Sequence, residues 1–165
     1  MIKFVCLLML ASICVYIGYR FSNKYKKRAE FFQAMVMLCQ KFDVEINYSK
    51  ERVKNILSGL DVKIKNKLLG IEKNYIAFLE QEQSLEKSVL FQNISILSQS
   101  EQDTIFMFFK SLGRSDLESQ SKEIRNYQTR FEEMSNVSQN DNKKYGSLSI
   151  KLGIIAGLFL IVLLV

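Results

Sequence analysis

The chain has 165 residues, 48% of them hydrophobic, with 23 Lys and Arg against 17 Asp and Glu, three Cys and no His, Trp or Pro. Such a length allows one domain plus anchors, and a chain without His offers no imidazole base and no Cys/His cluster at metal spacing. The formal charge of +6 does not point to nucleic acid: without the eight cations flanking the two apolar ends (Arg20, Lys24, Lys26, Lys27, Arg28, Lys143, Lys144 and Lys151) the net charge is −2, and no basic patch interleaved with aromatics is left.

From the N-terminus, Phe4 to Tyr19 is apolar apart from Ser12 and Gly18, and residues 2–21 reach the length of a bilayer span. A secretory signal peptide competes with this reading, because Lys3 can serve as its charged head. Against it, no small-x-small cleavage site precedes the five cations that follow, and those cations oppose export. Residues 2–21 are therefore expected to be a transmembrane helix. Beyond them Phe31, Met35, Leu38, Phe42 and Ile46 repeat at helical spacing, carrying the same helix to about Tyr48. Ser49 is the expected N-cap of a short helix from Lys50 to Leu60, with Gly59 at its end.

Between Asp61 and Leu68, Val62, Ile64 and Leu68 alternate with Lys63, Lys65 and Lys67 in a strand-like period of two. Over a longer window Ile64, Leu68, Ile71, Tyr75 and Phe78 fit a helix, and a lone strand would have no partner, so helix is expected. A further turn or two should cover Leu85 to Leu97. Ser98 with Glu101 and Ser100 with Asp103 then offer alternative caps for a helix containing Ile105, Phe106, Met107, Phe108 and Phe109, stopped by Gly113. That density of aromatics reads as buried core.

The last 51 residues, Ser115 to Val165, read as one helix that starts in water and ends in a bilayer. Ser115 and Glu118 have capping-box spacing, and Leu117, Ile124 and Phe131 recur every seven residues with Tyr127 and Met134 between them. This narrow seam weakens at Ser138 and Asp141, and it is the natural partner of the Phe31/Met35/Leu38/Phe42/Ile46 stripe. From Leu152 to Val165 no residue is polar. Fourteen residues rise only about 21 Å, but counting back to Gly146 gives a span, since Lys151 can reach the headgroups. Gly153 and Gly157 form a GxxxG pair, a candidate helix-packing face inside that span.

Both apolar segments have their cations on the side facing the middle of the chain. The positive-inside rule then places residues 22–147 in the cytoplasm and both termini outside. The expected fold class is all-α: six helices in an antiparallel bundle-like cytoplasmic domain, 22–147, flanked by transmembrane helices 2–21 and 146–165. Cys39 is the single thiol of that domain, so no disulfide forms within it. The seven glycines compose no phosphate-binding loop, and carboxylate pairs such as Glu132 and Glu133 read as solvated helix surface. No enzyme activity, catalytic residue, cofactor or metal is expected.

The run Ser111, Leu112, Gly113, Arg114, Ser115, Asp116, then Gln120, together with Lys144, Tyr145, Gly146, Ser147, Leu148 and the ending from Leu152, resembles the stage III sporulation protein AB family of endospore-forming bacteria. The plan covers the whole length, with the specific motifs in the C-terminal third. Members of that family usually carry proline in the first interhelical turn and a central tryptophan, and this chain has neither. The resemblance implies a six-helix cytoplasmic domain similar to the general secretion F platform protein. It further implies a place in the channel complex between mother cell and forespore, with the anchors in the mother-cell membrane. The implied partners are the bilayer, other stage III sporulation proteins and a secretion-type ATPase, with a homo-oligomer left open. Leu112, Gly113, Arg114, Ser115, Asp116 and Gln120 then form a candidate partner interface. A second reading, from another class, is a membrane-tethered coiled-coil signalling or spacer protein that dimerises through the 117/124/131 seam.

Overall fold

The computed structural model describes residues 2–49, 52–81, 85–92, 94–113 and 116–164, with the backbone alone for residues 2–8, 49, 81 and 164. Every regular element among them is helical. Helix α1 runs Ile2–Val44 and ends in a π turn, Glu45–Ser49. Four short or medium helices follow: α2 Val53–Ser58, α3 Val62–Lys67, α4 Ile71–Gln81 and α5 Lys87–Leu90. Helix α6 is Gln99–Ser111. Helix α7, Leu117–Asp141, passes through a second π turn, Asn142–Gly146, into α8, Ser147–Leu164.

Counting α7 to α8 as one rod gives seven helices among the described residues, one more than expected. The extra one arises where a single helix from Asp61 to Phe78 was anticipated. Leu69 and Gly70 both have positive φ, 57° and 89°, a conformation that a right-handed helix cannot contain, so α3 ends and α4 begins anew. Asp61 caps α3 by accepting a hydrogen bond from the Lys63 N–H at 2.7 Å. For α6 the Ser98 box is the one used: Ser98 Oγ accepts from the Glu101 N–H, and Glu101 Oε2 accepts from the Ser98 N–H at 2.7 Å. The expected first-turn residues Lys50 and Glu51, the Ser49 side chain, and Arg114 and Ser115 lie outside the described residues.

The chain forms two compact units, 30–135 and 1–29 together with 136–165. In the 30–135 unit the apolar stripe of α1 is wholly buried: Phe31, Met35, Leu38 and Phe42 have no exposed area and Ile46 almost none. Phe108 of α6 lies at the centre of that core. Its ring meets Phe42 at 6.2 Å, Phe109 at 5.2 Å, Tyr127 at 5.4 Å and Phe131 at 5.4 Å between centroids, all tilted towards edge-to-face. Phe109 continues the cluster to Tyr75 of α4 at 4.8 Å. Edge-to-face rings place the positive rim of one on the negative face of another, which adds to the area they bury. On α7 the seam corresponds to Ile124 and Phe131, both buried, whereas Leu117 is 48% exposed and Gln120 and Ser121 take the inward positions.

The unit of 1–29 and 136–165 is built differently. Arg28 Nη1 meets Asp141 Oδ2 at 2.8 Å, the Tyr25 and Tyr145 rings lie 5.8 Å apart, and the two backbones then close on glycine. A methyl at Gly18 would lie 2.6 Å from the Ser149 carbonyl oxygen, one at Gly153 2.8 Å from that of Cys14, and one at Gly157 3.2 Å from that of Ala11. The two helices are antiparallel and in backbone contact through small residues. The π turn explains why the seam seemed to weaken. Along the rod Ile124, Phe131 and Ser138 are buried at intervals of seven, the next buried position is Gly146, eight on, and Gly153 follows after seven. A π turn closes over one residue more than an α turn, so it resets the face. Ser138 remains in the seam as a small residue, and Asp141 leaves it to pair with Arg28.

Among the described residues one helix, Leu117–Leu163, is long and apolar enough to cross a membrane. The expected first span, 2–21, falls partly on residues whose side chains lie outside the description.

Two outcomes follow from this packing. Gly18→Val should lower the melting temperature of the full chain in detergent by several degrees, whereas Gly146→Ala should leave it nearly unchanged, because the atom nearest to a methyl there is the mobile end of the Asn142 side chain, at 2.9 Å; equal effects would contradict the close backbone contact. Cys39 has no exposed area, and burial, aided by the charge of Glu132, pushes its thiol far above the usual range. In a chain with Cys6 and Cys14 replaced by Ser it should resist alkylation when native and react fully once denatured.

Candidate partner interface

The motif at the α6–α7 junction is largely occupied with making the turn. Leu112 is buried, and Gly113 has φ +77° with open space around it, so glycine is needed there for the backbone conformation alone. Asp116 stands at the N-cap of α7. Its carbonyl accepts from the Gln120 N–H at 2.9 Å and its Oδ2 from the Ser119 N–H at 3.2 Å. Hydrogen bonding from Ser119, through its side chain first and its backbone second, holds the Asp116 carboxyl below the usual carboxylate range. Gln120 points inward, and its Nε2 has no acceptor among the described residues. Arg114 and Ser115 are outside that description. Of the six proposed interface residues, Gly113 and Asp116 are thus exposed, while Leu112 and Gln120 belong to the interior.

One helical turn further on, the structure opens a groove of about 670 Å³ within the 30–135 unit. Ile46 and Asn47 of the first π turn form one wall, and Leu117, Glu118, Ser121, Lys122, Arg125 and Asn126 of α7 the other. Three of the lining side chains, Asn47, Ser121 and Arg125, converge on Asp43. The Oδ1 atom accepts from Ser121 Oγ at 2.6 Å, Asn47 Nδ2 at 2.9 Å and Arg125 Nε at 3.2 Å, and Arg125 reaches Oδ2 at the same distance. Asn47 Nδ2 also donates to the Asp43 carbonyl at 2.6 Å and to Ser121 Oγ at 3.1 Å. Burial acts to raise the Asp43 pKa, but the donors Ser121, Arg125 and Asn47 and the guanidinium charge outweigh it, so the carboxyl titrates below its ordinary value.

What can this arrangement do? It holds a carboxylate already saturated with donors, an Arg that is 65% exposed, an exposed Leu117 and the exposed charges of Glu118 and Lys122. The Ser121 hydroxyl donates to a carboxylate that Asn47 and Arg125 also hold, and among the described residues no group of three His, Cys, Asp or Glu could hold a metal ion. Of these groups, arginine is a residue type enriched at protein interfaces. Asp43, Asn47, Ser121 and Arg125 were not singled out by sequence reasoning. The signal was available: each helix carries a polar pair at i, i+4 spacing beside its apolar stripe.

The family model for stage III sporulation protein AB matches residues 3–165. No curated protein and no solved structure matches the chain.

Replacing Asp43 by Asn should destabilise the protein by less than about 1 kcal/mol at neutral pH, because Arg125 is mostly solvated. The sign of the pH dependence follows from a depressed folded pKa: the contribution is complete above the unfolded value, roughly 3.9, and is lost as pH falls through the lower folded value. Melting curves of the two proteins should therefore converge in acid. A difference that stays constant across the range would assign the effect to packing.

Proposed function

Since this chain belongs to the stage III sporulation protein AB family, we propose that its role in stage III of sporulation is that of a membrane-embedded assembly component, without enzymatic activity, of the channel between mother cell and forespore. In this reading the helices of 22–147 form a cytoplasmic platform similar to the general secretion F protein, both termini lie outside the cytoplasm, and the anchors sit in the mother-cell membrane. The platform contacts other stage III proteins and a secretion-type ATPase. The observation that carries this is the rod from Leu117 to Leu163. Its first half supplies Ile124 and Phe131 to a packed core, and its second half has the length and hydropathy of a span. A core element continuous with a span suits a platform coupled to the bilayer. The inward-facing cations support a cytoplasmic 22–147 segment.

The alternative, a coiled-coil spacer that dimerises through 117/124/131, needs that seam free for a second copy. Ile124 and Phe131 are buried within their own chain, which leaves only Leu117 exposed. The platform reading is preferred for that reason, and the groove beside Leu117 is its best contact surface.

The test exchanges two exposed charges on the groove wall, Glu118→Lys with Lys122→Glu, in the full chain expressed in sporulating cells. Recovery of the ATPase and other stage III proteins with the tagged chain should fall about tenfold, the effect of losing an interaction worth roughly 1.4 kcal/mol. Melting temperature should stay within about 2 °C, as expected for surface substitutions. Undiminished recovery would remove the groove from the interface, and absence of any stage III partner with the unaltered chain would remove the platform reading itself.

A further inference from the structure

The unit of 1–29 and 136–165 carries nine Lys and Arg side chains and one acidic side chain, Asp141, which Arg28 already holds. The 30–135 unit has fourteen against sixteen, so the excess of positive charge lies wholly in the first. Eight of the nine cations fall in two runs, 20–28 and 143–151. In the sequence these runs are separated by more than a hundred residues. In the structure they stand at one height: Arg28 pairs with Asp141, the Tyr25 and Tyr145 rings touch, Ser22 lies against Gly146, and Gly18 against Ser149. Lys24 and Lys27, within one turn of Tyr25, are therefore level with Lys143 and Lys144, and all four are exposed. Lys144 Nζ lies 5.1 Å over the Tyr145 ring. Directly beyond this level both helices become apolar, α1 back from Tyr19 and α8 onward from Leu152.

Four like charges at one level, Lys24, Lys27, Lys143 and Lys144, repel one another and attract opposite charge from outside the chain. Their height, at the edge of the apolar segments and beside two tyrosines of the kind that seat at a membrane interface, says where that charge lies. We infer that this collar binds the headgroups of anionic phospholipids, with Lys24, Lys27, Lys143 and Lys144 as the contacting cations. The inference rests on the membrane reading proposed above. A phosphatidylglycerol headgroup keeps a net negative charge, whereas choline cancels the phosphate of phosphatidylcholine, so the collar discriminates between them. Basic residues brought together between helices at the cytoplasmic face are suited to this.

The full chain is first floated with phosphatidylcholine vesicles after carbonate extraction, then reconstituted with a trace of spin-labelled phosphatidylglycerol or phosphatidylcholine. The fraction of each label immobilised by the protein is read by electron paramagnetic resonance. Phosphatidylglycerol should be preferred about fivefold at low salt, what one cation at a headgroup supplies. The preference should shrink towards none in ~1 M salt, where the Debye length is about 3 Å. The quadruple variant K24Q/K27Q/K143Q/K144Q should float as well as the parent and lose most of the preference. Equal immobilisation of the two lipids by a chain that floats overturns this inference alone, as does a preference retained by the quadruple variant. A chain that does not float overturns the membrane reading and this inference with it.

Discussion

The 30–135 unit depends on the burial of one ring. Phe108 meets Phe42 from α1, Tyr127 and Phe131 from α7 and its own neighbour Phe109, which in turn reaches Tyr75 on α4. Truncating such a ring costs about 3–5 kcal/mol, a large share of the 5–15 kcal/mol that holds a domain folded. The positions of the surface residues follow from it. With Phe42 and Phe131 fixed against the same ring, Asp43 of α1 and Asn47 of the following π turn face Ser121 and Arg125 on α7, and the groove has its two walls.

The same two helices use another physics in the unit of 1–29 and 136–165. There the contact is made by Gly18, Gly153, Gly157 and Ala11, while Ile13, Val15, Ile17, Ile155, Leu158 and Phe159 turn outward. In water this would be a poor choice, since apolar area is left exposed and little is buried. In hydrocarbon no apolar side chain gains by hiding from its surroundings, and close backbone packing of small residues is what holds helices together. Under the membrane reading proposed above, the change of contact type along each helix, from phenylalanine to glycine, matches a change of solvent.

Charge follows the same division. The basic residues gather where the glycine contacts begin, and the rest of the chain is slightly acidic. The groove, by contrast, has its carboxylate neutralised by Arg125 and saturated by hydroxyl and amide donors. Such a site offers shape and hydrogen bonding more than long-range attraction.

Much of this was legible from local pattern. The stripe from Phe31 to Ile46, the box at Ser98 and Glu101, the stop at Gly113 and the aromatic run of α6 each depend on residues within a turn or two of one another, and periodicity reports such features directly. The break at Leu69 was not legible, because a leucine in the left-handed region is adopted only when the packing of Leu68 and Ile71 demands it. Nor was Asp116 recognised as the cap of α7, since its neighbour Ser115 has the same chemistry and only the helix start decides between them. What the amino-acid order determined by itself was which stretches are helical, which faces are apolar and where the charge lies. Only the tertiary structure decided the register of the two long helices, and with it the pairing of Asp43 with Arg125 and of Tyr25 with Tyr145. Such pairings join residues some eighty to one hundred and twenty positions apart, and no local periodicity encodes a separation that long.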